Sequence, residues 1–259
     1  MAAADETLRW YHTIDLPDGP TPGYYDLRSV PAKLPFPDLR GLRCLDLATA
    51  NGFWAFEMER RGAGEVVAID IDDAAEQDWP RPPDPAVFPP GGRDLNKRAF
   101  EAAHAALGSR VVRRNLSVYD ASPEHLGRFD FVFLGSVLLH LRDPVAALRA
   151  ALSVLDGRLL SLEPVILWLS IVRRGSPAGQ LHKSHEPNWW TPNVAGHRAW
   201  VERAGLRVED SGAFVFQRFG RGFPAWPDAV RPLDPSWLAF WLGVRRFGVP
   251  SAWVLASPA

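Results

Sequence analysis

Leu45-Asp46-Leu47-Ala48-Thr49-Ala50-Asn51-Gly52-Phe53 and, a little further on, Val66-Val67-Ala68-Ile69-Asp70 decide the fold of this chain. In the first stretch an apolar run ends beside an acid, turns through small residues and Gly52, and enters a segment of helical composition. That segment, Phe53 to Arg61, stops at Gly62 and Gly64. The second stretch is β-branched and apolar, and it too ends on an acid. Uninterrupted apolar runs of this kind suit parallel strands covered on both faces. A small-residue turn at a strand's carboxyl end lets a ligand approach the backbone, and the following helix N-terminus offers N–H groups to a carboxylate or phosphate. An acid ending the next strand, here Asp70, can accept two hydrogen bonds from ribose hydroxyls.

The alternation continues in both directions from this unit. Asp94 to Leu107 has helical composition and stops at Gly108, Val111-Val112 begins a third strand, and Phe129 to Leu134 forms a fourth. Asp143-Pro144 is a cap followed by proline at the first helical position, opening a helix to Leu155. Leu159 to Leu162 is a fifth strand, Thr191-Pro192 opens a helix through Ala204, and Leu206 to Glu209 and Trp253 to Ala256 are the last strands. The expected fold is therefore α/β: a doubly wound, Rossmann-like, mostly parallel sheet whose last strand is antiparallel. Residues 1–40, rich in Pro, Gly and aromatics but without a period, read as an N-terminal arm or cap. Residues 41–259 read as one domain with insertions at about 164–190 and 218–250, and the proline-rich stretch from Pro80 to Pro90 reads as a loop.

Bulk properties exclude several classes. Lys plus Arg total 29 against 30 Asp plus Glu, so the net charge of −1 gives no general attraction to nucleic acid or acidic membranes. The single Cys44 rules out an internal disulfide and a multi-cysteine zinc site, and its apolar setting reads as an inert buried thiol. No apolar signal core is present in MAAADETLRW, and the longest apolar stretch, Val165 to Val172, is too short to span a bilayer. A soluble, cytoplasmic protein without a membrane partner is the expectation.

Dinucleotide binding asks for Gly-x-Gly-x-x-Gly, with glycine baring the backbone to a pyrophosphate. This turn reads Ala48-Thr49-Ala50-Asn51-Gly52 with an acid just inside the strand, which fits a ligand bearing an ammonium better. The run LDLATANGFWAFEMERRGAGEVVAIDIDD resembles motif I and the next acidic motif of class I methyltransferases, which use S-adenosylmethionine (SAM). That family usually has glycines where Ala48 and Ala50 stand. Phe129 to Leu141 resembles its fourth strand and the helix after it, and the match covers roughly residues 42–163. The resemblance implies SAM as cofactor and S-adenosylhomocysteine as product; no metal is expected, since the chain shows no set of metal ligands. It places the cofactor against Tyr11, Asp46, Ala48, Thr49, Ala50, Asn51, Gly52, Asp70, Ile71, Asn115, Leu116, Ser117 and Gly135.

A narrower resemblance comes from Trp10 to Leu16, Gly62-Ala63-Gly64, Ser136 to His140, Asn188 to Pro192 and Val194 to Gly205. These are similar to the bacterial enzymes that carboxymethylate the tRNA wobble uridine. Those relatives hold the extra carboxylate of carboxy-SAM with a Lys, a Tyr and an Arg. At two of these positions this chain has Leu139 and Ser251, which favours plain SAM.

Methyl transfer needs an aligned nucleophile and, for a hydroxyl or amine, a proton acceptor. His140, Glu163 and His12 are the catalytic candidates. His140 follows the fourth strand and reads more readily as a packed helix histidine hydrogen-bonded to the arm; Glu163 ends the fifth strand and reads equally as a solvated strand end. His12, in the aromatic arm with Trp10, Tyr11, Tyr24 and Tyr25, suits a lid over the cofactor. His182, His185 and Glu186 form HxxHE in a polar loop without the four ligands a closed zinc site needs. Trp79 is a candidate for stacking on adenine. The expected function is SAM-dependent methylation of a small molecule on oxygen, nitrogen or carbon. A tRNA wobble-uridine methyl- or carboxymethyltransferase is the alternative, and a non-catalytic binding module of the same fold is a third reading, motivated by Ala48 and Ala50.

Overall fold

The computed structural model describes residues 8–73, 76–78, 80, 95–182, 188–223, 243 and 245–259. After the short hairpin β1 (Asp15–Leu16) and β2 (Gly19–Pro20) and the strand β3 (Tyr25–Asp26), the expected alternation begins. It runs β4 (Arg43–Leu47), α1 (Phe53–Arg60), β5 (Glu65–Asp70), α2 (Leu95–Leu107), β6 (Val112–Asn115), α3 (Pro123–Leu126) and β7 (Phe129–Gly135). Then come α4 (Pro144–Ser153), β8 (Leu155–Pro164), α5 (Leu167–Val172), β9 (Gly179–Leu181), β10 (Trp190–Pro192), α6 (Val194–Arg203), β11 (Leu206–Phe219) and β12 (Val249–Pro258).

The main sheet has eight strands in the order β3-β11-β12-β8-β7-β4-β5-β6. Strands β8, β7, β4, β5 and β6 are mutually parallel, and β12 runs antiparallel between β8 and β11. Chain order reverses between β4 and β7, so the crevice lies at the carboxyl ends of these two strands. That places the Ala48–Gly52 turn, Asp70 and Gly135 along one edge of the sheet.

Two apolar layers hold the sheet. One face packs Cys44, Ala68, Phe131 and Phe133 against Trp54, Ala55 and Met58 of α1 and Phe100 of α2. The other packs Leu45, Leu47, Val132 and Leu134 against Ala147, Leu148 and Ala151 of α4 and Val201 of α6. Trp10, Ile14, Leu27, Val30, Leu34 and Leu39 are all buried in the first layer. Residues 8–39 are thus part of the core, and β3 extends the sheet by pairing Asp26 with Arg218 and Tyr25 with Phe219. The arm lacks a period because its buried residues come from irregular chain rather than from one helix or strand.

Three local expectations change. Thr191 and Pro192 belong to β10, paired with β9, and the helix cap is Asn193, whose Oδ1 accepts the Gly196 N–H at 2.7 Å. After β7 the chain makes a single tight turn, Leu138–His140, before Asp143 caps α4 by accepting the Ala146 N–H at 2.9 Å. The last two strands are much longer than four residues, with 14 in β11 and 10 in β12. Two register shifts in β11 broke the alternation that would have revealed its length. Most of the expected insertion at 218–250 lies outside the described residues; the one at 164–190 contains α5 and leads into the β9–β10 hairpin.

Candidate active site

The turn after β4 is built on two left-handed alanines. Ala48 has φ 62° and Ala50 φ 49°, with Gly52 at 95°. Such backbone suits glycine and costs an L-residue about 1–2 kcal/mol, so the conformation that glycines usually provide is present here under strain. It is pinned by backbone bonds from Thr49 N–H to Ile69 O at 3.0 Å and from Gly52 N–H to Thr49 O at 2.9 Å. A Cβ on Gly52 would run into the rings of Phe56 and Phe100.

Asp70 braces the same turn. Its Oδ2 accepts the Ala50 N–H at 2.6 Å and its Oδ1 accepts the Ile71 N–H at 2.8 Å. Each oxygen keeps a second lone pair, so a ribose diol fits without displacing either bond. Burial raises the Asp70 pKa, with the Arg113 guanidinium opposing. Asp46 is 1% exposed and neither carboxylate oxygen has a hydrogen-bond partner. Burial pushes its pKa up to about 7, with Thr49 and the Ala55 N–H near enough to pull it down and Asp70 adding to the rise. An unpartnered buried carboxylate is expensive to ionise and gains most from a cation, which is what the methionine ammonium of SAM would supply. On that ground the donor set fits the cofactor.

The arm closes on this turn through Asn51. The backbone N–H and Nδ1 of His12 lie 3.1 and 2.8 Å from Asn51 Oδ1, and Asn51 Nδ2 donates to His12 O at 3.0 Å. Oδ1 is an acceptor in this network, so Nδ1 carries the proton. Burial pushes the His12 pKa down to about 4, keeping it neutral. The Asn51 side chain is therefore turned to the arm, and His12 is its anchor. Tyr11, half-buried beside it, has its hydroxyl held protonated first by burial, then by Tyr24, Glu163 and Asp70. Tyr11 thus lies within electrostatic reach of both the second-strand and the fifth-strand carboxyl groups.

Glu163 is fully buried, not a solvated strand end. Its Oε1 accepts the Val137 and Leu138 N–H groups at 3.0 and 3.1 Å, while Oε2 has no partner. Burial pushes its pKa up to about 8, against these backbone donors. Glu163 thereby fixes the start of the Leu138–His140 turn, and half-buried His140 ends that turn. Gly135 lies at the entrance, where a Cβ would come within 2.7 Å of the Phe133 ring and 2.9 Å of Trp54 Nε1.

At the next strand end, the Leu116 N–H donates to Asp70 O at 3.1 Å, exposed Asn115 accepts the Asp72 N–H at 3.0 Å, and Ser117 Oγ caps a turn through the Tyr119 N–H. Leu139 and Ser251 are both buried. Gln217 Nε2 donates to Ser251 Oγ and to Ser136 Oγ, each at 2.8 Å, so the Ser251 position belongs to a neutral polar chain. Sequence reading missed Gln217 and Ser136, because their contact depends on the bulged register of β11. Trp79, His185 and Glu186 lie outside the described residues, and His182 Nε2 meets Thr191 Oγ1 at 2.7 Å.

Comparison with known proteins agrees with this geometry. The methyltransferase domain family model matches residues 23–211. The tRNA U34 carboxymethyltransferase of Pseudomonas paraeruginosa is 28% identical over 214 residues, 78% of this chain and 58% of that protein. The ubiquinone biosynthesis O-methyltransferase of Xanthomonas axonopodis pv. citri is 28% identical over 221 residues, 81% of this chain and 80% of that protein. The chain thus spans little more than half the length of the first relative. Among solved structures, an S-adenosylmethionine-dependent methyltransferase from Mesorhizobium loti superposes with a TM-score of 0.51 at 15% identity, covering 88% of this chain and 95% of that one. With the left-handed turn, the paired strand-end acids and a family match over most of its length, the chain belongs to the methyltransferase domain family, whose methyl donor is S-adenosylmethionine.

Proposed function

We propose that the chain is a SAM-dependent methyltransferase acting on a small-molecule acceptor. The observation that carries the small-molecule reading is the neutral, buried character of Leu139 and of the Gln217–Ser251 pair. Carboxymethyl transfer needs an extra carboxylate held at those positions, and a leucine and a serine supply neither a cation nor a phenol there. The near-balanced charge of the chain points the same way, since tRNA binding draws most of its affinity from phosphate contacts. Ala48 and Ala50 adopt the conformation that cofactor-binding glycines use, which removes the ground for a non-catalytic reading.

In this account Asp70 takes the ribose, Asp46 the ammonium, and the Ala48–Gly52 backbone the methionine end. Glu163, neutral at pH 7, positions the turn that brings His140 to the acceptor, and His140 removes the proton. The test is incubation with radiolabelled methyl-SAM and, separately, a metabolite extract or bulk tRNA. Label in the small-molecule fraction is expected. Label in tRNA, or a carboxymethyl mass shift on wobble uridine when carboxy-SAM is supplied, would replace this reading with the tRNA one.

A further inference from the structure

α5 is amphipathic in the wrong sense for a soluble surface. Its sequence is Leu167-Trp168-Leu169-Ser170-Ile171-Val172, and its one buried side chain is the serine. Ser170 Oγ donates to Ile166 O at 2.8 Å and accepts the Val194 N–H at 3.2 Å, which ties the polar side inward. The apolar side chains face outward instead: Trp168 is 61% exposed, Ile171 64% and Val172 71%. Leu181 on β9 adds another exposed apolar side chain at 58%. Scattered surface leucines are ordinary, whereas four apolar residues exposed within one short helix and its hairpin mark a contact surface.

The charge beside the patch identifies the occupant. Arg173 and Arg174 follow α5 directly and are exposed, and neither has a carboxylate partner among the described residues. From Pro164 to His182 the sequence contains no Asp or Glu at all. A tryptophan and aliphatic side chains flanked by two exposed arginines match an anionic lipid surface, where indoles sit at the headgroup level and basic residues meet the phosphates. No helix among the described residues is long and apolar enough to cross a membrane, so the contact would be interfacial.

We propose that the α5 face, with Leu181, Arg173 and Arg174, docks this protein reversibly onto anionic membrane surfaces. The sequence expectation of no membrane partner rested on the near-zero net charge and the lack of a spanning segment, and neither bears on a local surface patch. The docking is independent of which acceptor is methylated. α5 begins shortly after Glu163, so a docked protein would hold the acceptor end of the sheet near the bilayer.

The test is co-sedimentation of the full chain with vesicles of phosphatidylcholine alone and of phosphatidylcholine containing one-third phosphatidylglycerol. Binding to the anionic vesicles is expected, weakened by added salt. The I171S/V172S double variant should bind them at least tenfold more weakly. R173Q/R174Q should lose about thirtyfold on anionic vesicles only, since each juxtamembrane arginine contributes about 1 kcal/mol. SAM binding by calorimetry, unchanged in both variants, shows that they remain folded. Equal weak binding to both vesicle types, or none, overturns the proposal. So does a dimer in light scattering that I171S/V172S abolishes, because the face would then be covered by a second copy.

Discussion

Replacing Ala48 and Ala50 by glycine should stabilise this protein, against the usual effect of introducing glycine. Their φ values of 62° and 49° lie where a Cβ crowds the following carbonyl, at about 1–2 kcal/mol per residue. Glycine relieves that strain, but its freer unfolded chain takes back about 0.4–1 kcal/mol. The net gain is about 0.5–1 kcal/mol per site, or about 1–2 kcal/mol for A48G/A50G. For a chain of this size that corresponds to a rise in Tm of about 4 °C. Neither substitution removes a hydrogen bond, because the Thr49, Ala50 and Gly52 contacts that pin the turn all come from backbone N–H groups that glycine keeps. Differential scanning calorimetry of the two single variants and the double variant measures the effect, with SAM titration alongside. SAM affinity should stay equal or rise, since glycine keeps the backbone donors and the left-handed conformation of the turn. A lower Tm in either single variant would refute the strain argument, and weaker SAM binding with raised Tm would show that the methyl groups contact the ligand.

Other perturbations separate the roles assigned above. Asn51→Ala leaves the His12 backbone and ring without their shared partner; it should cost about 3 kcal/mol in urea unfolding and speed amide exchange across residues 10–14. Deleting residues 1–22 should prevent folding, because Trp10 and Ile14 fill the core, and a folded truncate by circular dichroism would contradict this. Asp46 and Glu163 bind protons more tightly when folded, with values pushed up to about 7 and 8. Their contribution is therefore present at low pH and lost as pH rises through those values. Glu163→Gln, which keeps an oxygen for the Val137 and Leu138 N–H groups, should be less stable than or equal to the parent at pH 5 and more stable at pH 9. His12 and His197, pushed down to about 4 and 3 by burial, oppose this by losing stability as pH falls below about 6.5. Carboxy-SAM should compete no better than SAM; a tenfold advantage, about 1.4 kcal/mol, would restore the carboxymethyl reading.

The parallel core was legible because each of its strands carries its signal locally. Val66 to Ile69 are buried on both faces, so every position is apolar and the strand shows without knowledge of its neighbours. Asp143-Pro144 announced α4 by cap chemistry alone, and Asp46, Asp70 and Glu163 stood out as acids at or near apolar strand ends. What stayed hidden depends on contacts across the chain. The strap of residues 8–39 shows no period because Trp10, Leu27 and Val30 reach the core from irregular chain. Asn51 looked like one more small residue of the turn, and only the fold brings His12 back to it. The length of β11 was masked by its bulges, and with it went the pairing of Gln217 to Ser136 and Ser251. The outward face of α5 was not legible from the apolar run Val165 to Val172, since apolarity alone does not say which way a side chain points.

The account's central claim is that SAM binds at the carboxyl ends of β4 and β5 with its ribose on Asp70. Isothermal titration of SAM and of S-adenosylhomocysteine into the parent and into Asp70→Ala tests it most directly. The substitution removes charge-assisted hydrogen bonds of about 1.5–3 kcal/mol each, so affinity should fall at least tenfold, with circular dichroism confirming that the variant is folded. Parent protein that shows no heat at millimolar SAM, or an Asp70→Ala variant that binds SAM as tightly as the parent, would contradict it.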